Sequence, residues 1–84
     1  MPISGPQSVL QRLIEELVDS PESVRIECNE TRATAIIDVY VDKKDVGLVL
    51  GRAGSHAEAI RTIFKAMYHK MGKRLYLQVS ELTE

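Results

Sequence analysis

The chain has 84 residues, 44% of them apolar and 27% charged, with a formal net charge of −1. That length supports one small domain, and that composition a folded rather than a disordered one. Cys28 is the only cysteine, the two histidines (His56 and His69) stand apart from it without metal-ligand spacing, and no run approaches the ~20 apolar residues of a membrane-spanning helix.

Residues 1–6, rich in Pro, Gly and Ser, read as a flexible tail ahead of a single domain over residues 7–84. The start has neither basic residues nor an apolar run, so no signal peptide is expected and the cytoplasm is the default compartment. A first helix is predicted from about Gln7 to Asp19. Leu10, Leu13, Ile14, Leu17 and Val18 form one stripe of it, and Ser20-Pro21 stops it. In the first strand, about Val24 to Cys28, apolar residues alternate with Arg25 and Glu27. Asn29-Glu30-Thr31 reads as a turn. The second strand, about Arg32 to Val41, is β-branched, with Ala35, Ile37, Val39 and Val41 facing a core and Thr34, Ile36, Asp38 and Tyr40 opposite. The short link makes these strands an antiparallel hairpin.

A second helix starts after Asp42, with Asp45 near its positive end, and stops at Gly51. A third runs from Ser55 to about Met71, with Ala57, Ile60, Phe64, Met67 and Met71 as its buried stripe and Gly72 as a C-terminal cap. The last strand spans about Arg74 to Ser80, with Leu75, Leu77 and Val79 inward. The order α-β-β-α-α-β predicts an α+β fold, a three-stranded sheet with helices packed on one face.

The near-neutral total conceals a division of charge. Residues 43–74 hold eight Lys and Arg against two acidic residues, a surplus of +6, and the rest of the chain holds three against ten, or −7. A polyanionic partner is favoured if the fold gathers the basic residues on one surface. The alternative is that Lys70, Lys73 and Arg74 merely complement the C-terminus of the third helix.

The two helices meet at Gly51-Arg52-Ala53-Gly54. Two glycines three apart allow a sharp turn without a Cβ in the way, and the following helix starts with unpaired N–H groups at its positive end, a ready anion site. Arg52 adds a forked donor suited to phosphate, and Ser55 a hydroxyl or a cap. Alone, G-x-x-G is also the mark of a tight helix–turn–helix corner. Its setting is more specific. Val46-Gly47-Leu48-Val49-Leu50-Gly51-Arg52-Ala53-Gly54, followed by Ala57 and Ile60, resembles the KH signature. The leading helix and strand are similar to the type II, bacterial arrangement. Asp45-Val46-Gly47, Ala59-Ile60-Arg61-Thr62 and Gly72-Lys73-Arg74 extend the resemblance along nearly the whole chain to the small bacterial single-KH proteins of the KhpA type. Glu58 departs from it, standing where relatives often carry a basic residue.

That resemblance implies single-stranded RNA as partner, its backbone clamped at Gly51, Arg52, Ala53 and Gly54 and its bases on an aliphatic floor. Ser55, Lys43, Lys44 and Arg61 are further candidate contacts, and Val46, Val49 and Leu50 are candidate floor residues whose other role is in the core. It also implies a homodimer, or a heterodimer with a larger KH-containing protein, and a part in RNA chaperoning. It brings no cofactor, metal or catalytic activity. Nor does the sequence offer a catalytic constellation, a P-loop or a dinucleotide fingerprint. The rival reading is a protein-interaction or dimerisation module in which RNA binding is secondary. No row of aromatics suits a base-stacking sheet, while Tyr40 and Tyr76 are expected on the open sheet face.

Overall fold

The computed structural model describes residues 5–83. Its elements are α1 (Pro6–Leu17), β1 (Arg25–Glu30), β2 (Thr34–Val41), α2 (Val46–Leu50), α3 (Ser55–His69) and β3 (Arg74–Glu81), with short 3-10 turns at Pro21–Ser23, Lys43–Asp45 and Arg52–Gly54. The strands lie in the order β1-β2-β3. β1 is antiparallel to β2 and β3 is parallel to it, with Ile37 opposite both Cys28 and Leu77. The predicted α+β order holds throughout.

The sheet is built by the period of two. Ala35, Ile37, Val39 and Val41 are fully buried, joined by Leu75 and Leu77 from β3. The helices add Leu10 and Ile14 from α1, Val49 from α2, and Ile60, Phe64 and Tyr68 from α3. Each such side chain contributes roughly 1.5–3 kcal/mol by leaving water. The other sheet face is uncovered and carries Ile36 and Tyr76, opposite each other in register.

Several boundaries differ from the sequence expectation, each for a local reason. Of the tail, residues 1–4 lie outside the described residues, but Gly5 and Pro6 do not belong to it: Pro6 opens α1 and Gly5 O accepts from Ser8 N–H and Val9 N–H. α1 ends at Leu17 rather than Asp19, because Val18 is already extended (φ −98°, ψ 162°) and the next two amides are bonded elsewhere. The hairpin turn falls at Thr31–Ala33, not Asn29–Thr31. Thr31 Oγ1 accepts from Ala33 N–H and Thr34 N–H, so β1 runs on to Glu30 and β2 begins at Thr34. α3 stops at His69, where Gly72 N–H donates to His69 O and Lys73 N–H to Tyr68 O. This closure turns Met71 outward, 46% exposed. Tyr68, four residues after Phe64, takes the buried place expected of Met71.

The Tyr68 hydroxyl is buried without a well-formed hydrogen bond, with the Cys28 thiol beside it. Burial pushes its pKa up to about 12. Burial likewise raises the Cys28 thiol, helped by Glu30, whose carboxylate lies 3.6 Å from Sγ.

Candidate nucleic-acid interface

The corner between α2 and α3 is held from three sides. Asp42 caps the turn leading into α2 by accepting from Lys44 N–H at 3.1 Å. Asp45, fully buried, accepts from Asp19 N–H (3.3 Å) and Ser20 N–H (3.0 Å), pinning the end of α1 against the start of α2. His56, in the first turn of α3, places Nδ1 2.9 Å from Leu48 O and so ties α3 back to α2. Sequence reasoning gave Asp45 only a helix-dipole role. The bracing contacts of Asp45 span 25 and 26 residues and that of His56 spans 8, and they become visible only in three dimensions.

The two glycines do different work. Gly51 has φ 75° and ψ 172°, backbone open essentially to glycine alone. A Cβ there would lie 2.5 Å from His56 Cγ and 2.8 Å from His56 N. Gly54 is left-handed (φ 77°, ψ 14°), and a Cβ there would meet nothing within 4 Å. Between them Ala53 is also left-handed, at φ 54°, an uncommon state that costs about 1–2 kcal/mol for a residue with a Cβ. Arg52, Ala53 and Ser55 are exposed, and Gly54 is half-buried.

The expected row of bare amides needs one correction. Gly54 N–H donates to Gly51 O at 3.0 Å and Ser55 N–H donates to Arg52 O, so these two protons close the 3-10 turn. What the corner offers an anion is close approach over Gly54, the Arg52 guanidinium and the positive end of a 15-residue helix. Glu58, exposed in the first turn of α3, opposes that attraction.

Lys43 is exposed on the turn before α2. Lys44 is turned away toward α1, its Nζ 2.7 Å from Ser20 Oγ. Arg61 is half-buried with Nε donating to Leu77 O at 3.2 Å, and its remaining N–H groups are not spent on that bond. Of the floor candidates, Val49 is wholly core, Val46 packs partly against the core and Leu50 is half-buried. Tyr76 stands 48% exposed and Tyr40 half-buried on the uncovered sheet face.

A three-stranded sheet covered on one side by three helices, with a glycine-flanked corner between the last two, defines a type II KH domain. The family profile described as "KhpA/KhpB, KH domain" matches residues 7–79. RNA-binding protein KhpA of Aquifex aeolicus is 35% identical over 79 residues, covering 94% of this chain and all of that protein. RNA-binding protein KhpA of Listeria monocytogenes is 35% identical over 75 residues, 89% of this chain and 99% of that protein. The chain belongs to the KhpA/KhpB KH-domain family. Among solved structures, Era in complex with MgGDPNP and nucleotides 1506–1542 of 16S ribosomal RNA superposes with a TM-score of 0.63 at 17% identity. The match covers 92% of this chain and 30% of that one, a likeness of fold. Among the described residues, no helix is long and apolar enough to cross a membrane, and no group of His, Cys, Asp and Glu could hold a metal ion.

Proposed function

We propose that the chain is a non-enzymatic protein that binds short single-stranded RNA and grips the backbone of about four nucleotides at Gly51–Gly54. The observation that carries this reading is the open space above Gly54 beside the exposed Arg52. A phosphate there meets no side chain and finds a forked cation next to the positive end of α3. Ser55 stands at the same corner as a further contact, and Lys43 adds a cation from the turn before α2. Arg61 reaches the strand from farther along α3, and Lys44 serves through its spare protons. The KhpA relatives are named RNA-binding proteins, which supports the same partner. Affinity then comes mostly from phosphates, and base edges add what selectivity there is. Weak binding by one small domain fits work in pairs, as a homodimer or beside a larger KH-containing protein, in cytoplasmic RNA chaperoning or post-transcriptional control.

The test is Arg52→Asp with Ala53→Asp. Both positions are exposed, and aspartate tolerates the left-handed backbone better than most residues, so the fold should survive. Two carboxylates then stand where a phosphate should sit, and RNA binding should fall below detection. A folded double variant that binds RNA as the wild type does would refute the site. Salt gives a second reading: two or three neutralised phosphates predict a log–log slope of about −1.4 to −2.

The rival reading, an interaction module with RNA secondary, draws on one observation: Ile36 and Tyr76 stand side by side on the uncovered sheet face, 43% and 48% exposed. Ile36→Ser should then dissociate any dimer seen by sedimentation, while leaving RNA binding untouched.

A further inference from the structure

The ring of His56 is fixed at the corner in one definite tautomer. Its Nδ1 lies 2.9 Å from Leu48 O. A carbonyl oxygen only accepts, so Nδ1 carries the proton, and in the neutral ring Nε2 is left with a bare lone pair. The Cγ–Nδ1 edge is the part of the ring nearest Gly51, where a Cβ would lie 2.5 Å from Cγ and 2.8 Å from Nδ1. Nε2 is the ring atom opposite that edge. His56 is exposed, and among the described residues the one hydrogen bond of its ring is the bond through Nδ1.

A second proton on this ring changes what the corner shows a ligand without changing how the corner is built. The bond from Nδ1 to Leu48 O is made in both states, so α3 stays tied to α2. The added proton sits on Nε2 and brings a donor and a full charge to the residue two places after Gly54. The surrounding charges are few. α2 contributes none, the Arg52–Gly54 turn contributes Arg52, and the first turn of α3 contributes Glu58, both exposed. Arg52 opposes the added charge and Glu58 favours it. The turn before α2 holds Lys43, Lys44 and the buried Asp45, whose carboxylate faces the Asp19 and Ser20 amides. α1 and β3 also pack on α3. On α1, Arg12 is paired with Glu16 and Glu15 accepts from Gln11, while Arg74 and Glu81 stand exposed at the two ends of β3.

We infer that His56 makes the grip of the corner depend on pH: as imidazolium its Nε2–H donates to a phosphate oxygen, and as neutral imidazole it offers that oxygen only a lone pair. The inference rests on the RNA reading above and deepens it, since it gives the corner a second cation that is present only when the ring is charged. Imidazole is the ordinary side chain that changes charge between about pH 5 and 8. RNA affinity is therefore higher on the acid side of the titration and falls as pH rises. His69 cannot do the same. It lies at the other end of α3, 13 residues on and about 20 Å along the helix axis.

The experiment measures the affinity of the full chain for a short oligouridylate by fluorescence anisotropy at about pH 5.5 and about pH 8, a range in which uracil takes up no proton. One exposed cation gained on a phosphate should tighten binding at least about threefold at the lower pH and steepen the log–log salt slope by about 0.7. The informative variant is His56→Asn, whose side-chain amide can donate to Leu48 O from the place of Nδ1 but cannot be protonated. Its ratio of affinities at the two pH values should fall below about twofold, while His69→Asn keeps the wild-type ratio. A nitrogen-15 spectrum of the wild-type imidazole, which does not depend on RNA or on any variant folding, should show the neutral ring protonated at Nδ1. A wild-type ratio below threefold overturns the inference. So does a His56→Asn ratio of twofold or more, a ratio lost in His69→Asn instead, or a neutral ring protonated at Nε2. In those cases RNA binding itself stands. A wild type that binds the oligomer at neither pH refutes the RNA reading and this inference together.

Discussion

Replacing Gly51 or Gly54 by alanine adds the same methyl group to two residues three positions apart, and the structure predicts very different consequences. At Gly51 two costs combine. The backbone at φ 75° and ψ 172° is strained for any residue with a Cβ, at about 1–3 kcal/mol. The new Cβ would also press within 2.8 Å of His56 N, which belongs to the first turn of α3 and cannot yield without moving the helix. Rotating the His56 ring out of the way would sacrifice its contact with Leu48 O, worth about 1 kcal/mol. With at least about 1 kcal/mol more for the overpacked contact with His56 N, the sum is about 3–5 kcal/mol, a large part of the roughly 4–13 kcal/mol that a domain this size possesses. At Gly54 the left-handed backbone alone costs about 1–2 kcal/mol, since a Cβ there touches nothing. Urea unfolding followed by far-UV circular dichroism measures both, with an unchanged m-value confirming that only stability moved. In thermal melts, Gly51→Ala should lower Tm by at least about 12 °C and Gly54→Ala by about 4–16 °C. Binding separates them the other way: at a temperature where both are folded, Gly54→Ala should lose RNA affinity beyond its unfolded fraction, because its methyl occupies the space where the phosphate approaches. A Gly54→Ala protein less stable than Gly51→Ala would refute the assignment of Gly51 to the fold and Gly54 to the ligand.

Two further perturbations probe the frame. Asp45→Ala strips the partners from Asp19 N–H and Ser20 N–H and should cost about 3 kcal/mol in urea unfolding, with Asp45→Asn near half of that; a loss below 0.5 kcal/mol for both would mean the carboxylate does not hold α1 to α2. Tyr68→Phe removes a buried hydroxyl without a well-formed hydrogen bond and should be neutral or slightly stabilising at pH 7. Because burial raises the folded-state pKa of Tyr68 from 10.0 to about 12, the stability linked to its neutral form is complete below pH 10 and is lost as pH rises toward 12. The phenylalanine variant should therefore lose less stability than the wild type across that interval, and parallel losses would show that Tyr68 is solvated.

The parts of the fold that were legible in the chain are those where one periodicity decides the outcome. Ala35, Ile37, Val39 and Val41 alternate because β2 is the central strand and buries one face along its whole length. The corner was legible because two glycines at that spacing have few uses between helices. Long-range geometry was not legible. Asp45 looks like any acidic residue near a helix start until the end of α1 is seen to land on it, 25 and 26 residues away. Met71 and Tyr68 both fit the stripe of α3, and only the place where the helix closes decides between them. Gly51 and Gly54 are interchangeable as letters, and the position of His56 makes them unequal.

Charge shows the same limit and bears directly on function. The surplus of +6 over residues 43–74 suggests one broad basic surface. Folding divides it. Lys44 is drawn to Ser20 and Lys73 to Glu30, so two of the eight basic side chains already hold a protein partner before any ligand arrives. Arg52 remains at the corner and Lys43 on the turn before α2, while Arg61 and Lys65 lie farther along α3 and Arg74 opens β3. A polyanion that contacts both sets must lie along α3 rather than across it. The unspent cations thus stand along α3, and the −7 carried by the rest of the chain disfavours a polyanion elsewhere.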